Sequence, residues 1–291
     1  MKCIRALSAL LLLSTFSYSQ NVHIGVFGGA GSYNGDLVDK LFPGHGQTKG
    51  AFGFDLEYEY NEHINIRAGY TYGHVSGYDK FNKSLELQKR NLGFESVINE
   101  ISLVGEYNIF NLYETRFTPY IYTGIAVFHY DPYVYDAGNI KTYLKPLSTE
   151  GEGITGYNNR PYSLTQPAIP LGVGIKYAIT DNVRIGLEAG YRVLFTDYLD
   201  DVSKNYIDAG DLLAARGQRA VDLAYRGDEV PGGSPFYPGK GVQRGNSSSK
   251  DAYYFVGLHL TFRLMPSAGN GYGQGRSGRS KKGYGCPTNV L

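Results

Sequence analysis

One stretch constrains this chain more than any other. Phe52, Phe54, Leu56, Tyr58 and Tyr60 alternate with Gly53, Asp55, Glu57 and Glu59, and after an Asn61-Glu62 turn Ile64, Ile66, Ala68, Tyr70 and Tyr72 alternate with Asn65, Arg67, Gly69 and Thr71. A period of two places successive side chains on opposite faces of a strand. The segment therefore reads as an antiparallel hairpin with one greasy, aromatic face and one small or charged face. The same alternation recurs in 100–109, 171–179, 183–191 and 254–262. A first strand near 22–32, and a segment 117–130 whose faces the pattern does not assign, bring the expected total to eight strands.

The connections decide what the strands build. Long links over 33–49, 78–97, 131–166 and 199–250 alternate with short ones at Asn61-Glu62, 111–116 and Thr180-Asp181-Asn182. A soluble sandwich has no reason to gather every long loop at one end, whereas outer-membrane barrels pair short periplasmic turns with long external loops on an even number of strands. The chain is thus expected to be all-β: an eight-stranded antiparallel transmembrane β-barrel whose greasy face meets lipid and whose polar face lines the lumen. Its 27 Tyr suit membrane–water interfaces, and its 39 Gly suit curved strands and turns.

The ends read differently. Met1, Lys2 and Arg5 precede an apolar run over 6–13, and Ser17-Tyr18-Ser19 offers the small residues a signal peptidase reads. This predicts a signal peptide over 1–19, a barrel over 20–264 and a periplasmic tail over 265–291. The tail is Gly- and Ser-rich, carries Arg276, Arg279, Lys281 and Lys282 with no acid, and is expected to be disordered. It also holds Cys286, the sole thiol once the leader is removed, so no internal disulfide staples the barrel. The net charge of +1 offers no argument for nucleic acid. There is no zinc spacing, no P-loop and no dinucleotide motif, so no cofactor is implied.

Short motifs at the strand ends add a resemblance. Tyr33-Asn34-Gly35-Asp36-Leu37 follows the first strand, Arg90-Asn91-Leu92-Gly93-Phe94 precedes the fourth, and Phe117-Thr118-Pro119-Tyr120 opens the fifth. Lys145-Pro146-Leu147 and Thr149-Glu150-Gly151 lie in the third long loop, and Thr196-Asp197-Tyr198-Leu199-Asp200-Asp201-Val202-Ser203 ends the seventh strand. Together they resemble the PorG family of Bacteroidetes, outer-membrane proteins of the type IX secretion system. The resemblance implies a non-enzymatic structural component of a protein-secretion machine that in some species also serves gliding motility. It implies association with a periplasmic ring built by a lipoprotein, PorK, and its partner PorN. The alternative is a stand-alone surface barrel of adhesin or minor-porin type.

Several residues are candidates for chemistry. Parity turns Glu57, Glu59, Arg67, Glu100, Glu106, Lys176, Glu188, Arg192, His259 and Arg263 into the lumen. An eight-stranded lumen is just wide enough to be filled by side chains. A network built on Glu57, Arg67, Glu106, Glu188, Arg192 and Arg263 is therefore expected to be a salt-bridged plug rather than an ion path. His74 with Ser76, or His129, near external strand ends are the only candidates for barrel-enzyme chemistry, and they read better as interfacial residues. Asp197, Asp200 and Asp201 lack calcium-loop spacing and read as a turn. The tail residues Arg276, Arg279, Lys281, Lys282 and Cys286 either contact a partner or anionic lipid, or only keep the tail soluble.

Overall fold

Every wall strand lies antiparallel to both of its neighbours, and the last contact closes the ring. The computed structural model describes residues 21–38 and 46–264; the expected signal segment 1–19 and the tail 265–291 fall outside the described residues. In chain order the strands are β1 (Val22–Asn34), β2 (Thr48–Glu59), β3 (Ile64–Tyr78), β4 (Gly93–Asn108), β5 (Phe117–His129), a small hairpin of β6 (Tyr133–Tyr135) and β7 (Lys141–Tyr143), then β8 (Thr165–Ala178), β9 (Val183–Leu194) and β10 (Ala252–Arg263). The order β3-β2-β1-β10-β9-β8-β5-β4 is sealed by β3 pairing with β4. This is a closed eight-stranded barrel, and closure leaves no open sheet edge within the wall. The hairpin β6–β7 rides on one end of β4 through Glu95 and Tyr133.

The short turns form because side chains stand in for backbone. The Asn61 side-chain oxygen accepts from the amides of His63 and Ile64 at 2.9 and 2.8 Å. Asn111 accepts from Tyr113 at 2.8 Å, and the Thr180 hydroxyl accepts from Val183 at 3.0 Å. Such local bonds are why Asn and Thr initiate tight turns. At this same end the Leu264 amide donates to the Val22 carbonyl at 2.8 Å, bringing the described chain ends together.

The outer face is apolar on every wall strand. Ile24, Phe54, Ile66, Ile101, Ile125, Val173, Leu187 and Leu258, one from each, are all exposed, from 41% for Ile24 to 68% for Ile101 and Ile125. A belt this large and continuous does not survive in water, and in a bilayer it is the lipid-facing surface. Among the described residues no helix is long and apolar enough to cross a membrane, so the strands do the crossing. Strand β5, unassigned by its pattern, turns Phe117, Ile121, Ile125 and Val127 outward and Thr118, Tyr120, Tyr122 and Phe128 inward.

The wall runs further than the alternation predicts. Strand β4 begins at Gly93 rather than near residue 100, β3 continues to Tyr78, and β8 begins at Thr165. The reason is an inversion of polarity. Below residue 100 in β4 the inward side chains are Phe94 and Ile98, both 0% exposed, while Glu95 and Asn99 take the outward parity. Beyond the lipid the outside is water and the inside is a protein core, so the greasy face changes sides.

That core belongs to a cap folded from the four long connections. Tyr33, Leu37, Phe94, Ile98, Phe128, Tyr130, Leu147, Leu199, Val202, Ile207, Leu212, Leu223, Tyr253 and Phe255 pack into one cluster across the barrel mouth. The connections carry short helices at Leu85–Arg90, Ala209–Arg216 and Gln218–Ala224. Asp208 caps the second, accepting from the amides of Gly210 and Asp211 at 2.8 and 3.1 Å.

Candidate functional site: a charge-filled lumen under a braced cap

The lumen is filled in tiers. Nearest the short turns, Glu59 collects the Tyr113 hydroxyl at 2.8 Å, Arg263 at 3.2 Å, His23 at 3.3 Å and Arg184 at 3.4 Å. One step deeper, Lys176 bonds Glu106 and lies 3.4 Å from Glu57. Asn65 ties the same two carboxylates together at 2.7 and 3.1 Å. In the next tier Arg67 donates to Glu188 at 2.8 Å, and the Tyr120 hydroxyl donates to the same oxygen at 2.8 Å. His259 completes this tier: its Nε2 lies 2.7 Å from Asp55 and its Nδ1 3.2 Å from the Arg67 Nη1. Because a guanidinium only donates, this network assigns the ring proton to Nε2. In the uppermost tier Arg192 grips Glu100 with two bonds of 2.9 Å, and Tyr253 donates to Glu100 at 2.6 Å.

All six residues of the expected network therefore face the lumen, but only Arg67 and Glu188 pair with each other. Glu57 and Glu106 share Lys176, Arg192 takes Glu100, and Arg263 sits at the turn-end mouth on Glu59. Alternation alone missed Tyr120 and Tyr122. Both lean across the lumen over glycines: a Cβ at Gly172 would stand 2.1 Å from the Tyr122 ring, and one at Gly174 would stand 2.5 Å from the Tyr120 ring. Several wall glycines read as curvature thus serve as space for lumen side chains. A cavity beside Asp55, Arg67, Tyr122, Glu188 and Arg192 holds about 30 Å³, room for one or two waters.

The cap gathers the strand-end motifs of the four long loops, all but Phe117–Tyr120, which opens β5 at the short-turn end. The Tyr33 hydroxyl lies 2.5 Å from Asp200 and 3.0 Å from Asp251. The one hydroxyl proton is shared between the two acids. Burial, then mutual repulsion for Asp200, raises both acids well above the carboxylate range. Asp201 accepts from Thr149 and Tyr162 at 2.7 Å each. Glu150 accepts from the amides of Ser203 and Lys204 at 2.9 and 2.8 Å and from Arg244 at 3.0 Å. Arg90 holds Asp79 with two bonds of 2.7 Å and reaches the Arg244 carbonyl. The Asp197–Asp201 knot is thus a brace between loops. Among the described residues no group of His, Cys, Asp or Glu is arranged to hold a metal.

The candidate enzyme residues are engaged separately. Ser76 donates to the Gln47 carbonyl at 3.1 Å, His74 sits 3.0 Å from the Tyr133 hydroxyl, and His129 lies 3.0 Å from Thr165. The tail candidates Arg276, Arg279, Lys281, Lys282 and Cys286 lie outside the described residues.

An apolar belt, a closed eight-strand wall and a lumen packed with paired charge define an integral membrane β-barrel with a plugged interior. The sequence profile of a domain family of unknown function, DUF6089, matches residues 2–209, and the chain belongs to that family. No curated protein matches it. Among solved structures it is similar to Neisserial surface protein A, at 9% identity over 84% of this chain and 97% of that one, with a TM-score of 0.43. It is also similar to OprG from Pseudomonas aeruginosa, at 10% identity over 84% and 97%, with a TM-score of 0.41.

Proposed function

We propose that this chain is a non-enzymatic outer-membrane component of a type IX protein secretion machinery, fastening the periplasmic ring of PorK and PorN to the membrane. The observation that carries this reading is the blocked interior: paired charges fill the lumen under a braced cap. Transport through the barrel is thereby disfavoured, and the lipid-facing wall and the two ends remain as working surfaces. The PorG-like motifs support the assignment to this machinery. In this reading the cap faces the exterior, and the short turns and both termini face the periplasm. The turns and the basic tail, with Arg276, Arg279, Lys281, Lys282 and Cys286, form the docking side. Four basic residues at about 1 kcal/mol each near an anionic surface make the tail contact weak and salt-sensitive.

The test is to delete 265–291 and to crosslink from Cys286 in whole cells. The expected outcome is a barrel that still inserts but copurifies less of the ring, with a ring subunit as the neighbour of Cys286. Undiminished copurification refutes the tail's role, and absence of ring proteins from both experiments refutes the anchor. A second reading, a stand-alone surface barrel, draws on the ordered cap and on Phe236, 78% exposed at its surface. Removing cap segments within 205–250 separates the two: an anchor tolerates it, an adhesin does not.

A further inference from the structure

We propose that the cap carries a groove that binds a neutral saccharide. The groove encloses about 800 Å³ between the helix Leu85–Arg90, the strand-like pairing around Tyr206 and the loop that follows Tyr225, within the size range of small-ligand sites. It is preformed. Tyr206 exchanges backbone bonds with Gly241 and Val242 at 2.9 and 2.8 Å. Arg90, on the facing wall, is held by its paired bonds to Asp79.

The chemistry of the lining points to sugar. The lining residues Tyr206 and Tyr225 meet each other and Tyr237, which lies outside the lining, edge to face, with centroids 5.6–6.2 Å apart and interplanar angles of 72–79°. This arrangement turns ring surfaces in more than one direction instead of collapsing into a stack, and ring faces suit the C–H faces of a pyranose. Tyr206, which lines the groove, is 3% exposed, yet its hydroxyl has no hydrogen-bond partner. An orphaned buried hydroxyl is costly, and a ligand hydroxyl entering the groove would satisfy it.

At the rim the Gln243 amide nitrogen is spent on the Gly245 carbonyl, which leaves its oxygen to accept. The Asn246 oxygen is spent on the Ser248 amide, which leaves its nitrogen to donate. Donor and acceptor side by side match vicinal hydroxyls. The lining basic residues Arg90 and Arg244 are already paired with Asp79 and Glu150, and Lys89 shares the lining with Glu86 and Asp36, so the groove offers no free cluster of positive charge for an anionic ligand such as a nucleotide or a sulfated glycan. The inference does not depend on which side of the membrane the cap faces.

The test uses the full-length protein in lipid nanodiscs on an array of neutral and acidic glycans, followed by calorimetry with the strongest neutral glycan. At least one neutral oligosaccharide should bind. Tyr225→Ala and Asn246→Ala should each weaken it about tenfold, while Tyr225→Phe, which keeps the ring, should bind as wild type does. Protease resistance of the cap, unchanged in each variant, separates lost contacts from a lost fold. Binding by no glycan, binding by acidic glycans alone, or neutral binding indifferent to both alanine variants overturns the proposal.

Discussion

Replacing Lys176 with Met tests the plug where it is driest. The Lys176 side chain is 1% exposed, and both carboxylates it serves, Glu57 and Glu106, are 0% exposed. Glu57 keeps Arg184 at 3.7 Å, but Lys176 is the only ion-pair partner of Glu106 among the described residues. Stranding one member of a buried pair costs about 3–5 kcal/mol. The escape is to take up a proton, and neutralising an ordinary carboxyl at pH 7 costs about 3.7 kcal/mol, which caps the penalty, against about 1 kcal/mol at pH 5. The expected loss is therefore about 3–4 kcal/mol at pH 7, shrinking toward about 1 kcal/mol at pH 5. The double variant Lys176→Met with Glu106→Gln removes the stranded charge and should recover most of the loss. Urea unfolding in vesicles, followed by far-ultraviolet circular dichroism and by the gel mobility of unheated samples, reads all three quantities. A single-variant loss under about 1 kcal/mol at pH 7, or one that does not shrink at pH 5, would refute the buried-pair account.

Other consequences concern the cap and the lumen. Burial raises Asp197 and Asp201 to about 6 and Glu152 to about 8, and Asp200 and Asp251 are raised as well. Acids raised by folding stabilise the cap fully below their unfolded values and lose that contribution as pH climbs through the folded ones. Amide protection factors around residues 196–203, that is, exchange corrected for its intrinsic acceleration by base, should thus be higher at pH 5 than at pH 8.5, and the opposite order would sink this linkage. Arg244→Ala strands Glu150 and frees the carbonyls of Asp201 and Ala224. Protease should then cut within 195–251 at least tenfold faster while the barrel keeps its gel mobility, and Arg244→Lys should not restore the fork of bonds. In planar bilayers the wild type should show no conductance steps. A wild-type conductance that Glu188→Gln abolishes would replace the plug with an ion path.

The wall was legible in the sequence because lipid on one side and packed charge on the other enforce strict alternation. Parity alone turned Glu57, Arg67, Glu106, Glu188 and Arg192 inward. It could not pair them, since Lys176 reaches Glu57 across the lumen from a strand 119 residues away. It also stopped early at strand ends. Phe94 and Ile98 put greasy side chains on the parity that carries Glu100 and Glu106 lower in the strand, so the pattern inverts where the surroundings of the wall reverse. The cap itself was illegible, because Tyr33 meets Asp200 across 167 residues of chain with no periodic signal to mark it. The motif residues Tyr33, Arg90, Glu150, Asp200 and Asp201 do sit at its joints, which gives those short segments a physical reason to exist.

The reach of β4 has a practical consequence. Its 16 residues extend roughly 53 Å at about 3.3 Å each, or about 40 Å of height at a tilt near 40°, against an apolar band of about 25 Å. Some 15 Å of rigid collar therefore stands clear of the bilayer before the loops begin. A neighbouring subunit or an antibody could clasp that collar from the side in water, without entering lipid and without disturbing the loops above it.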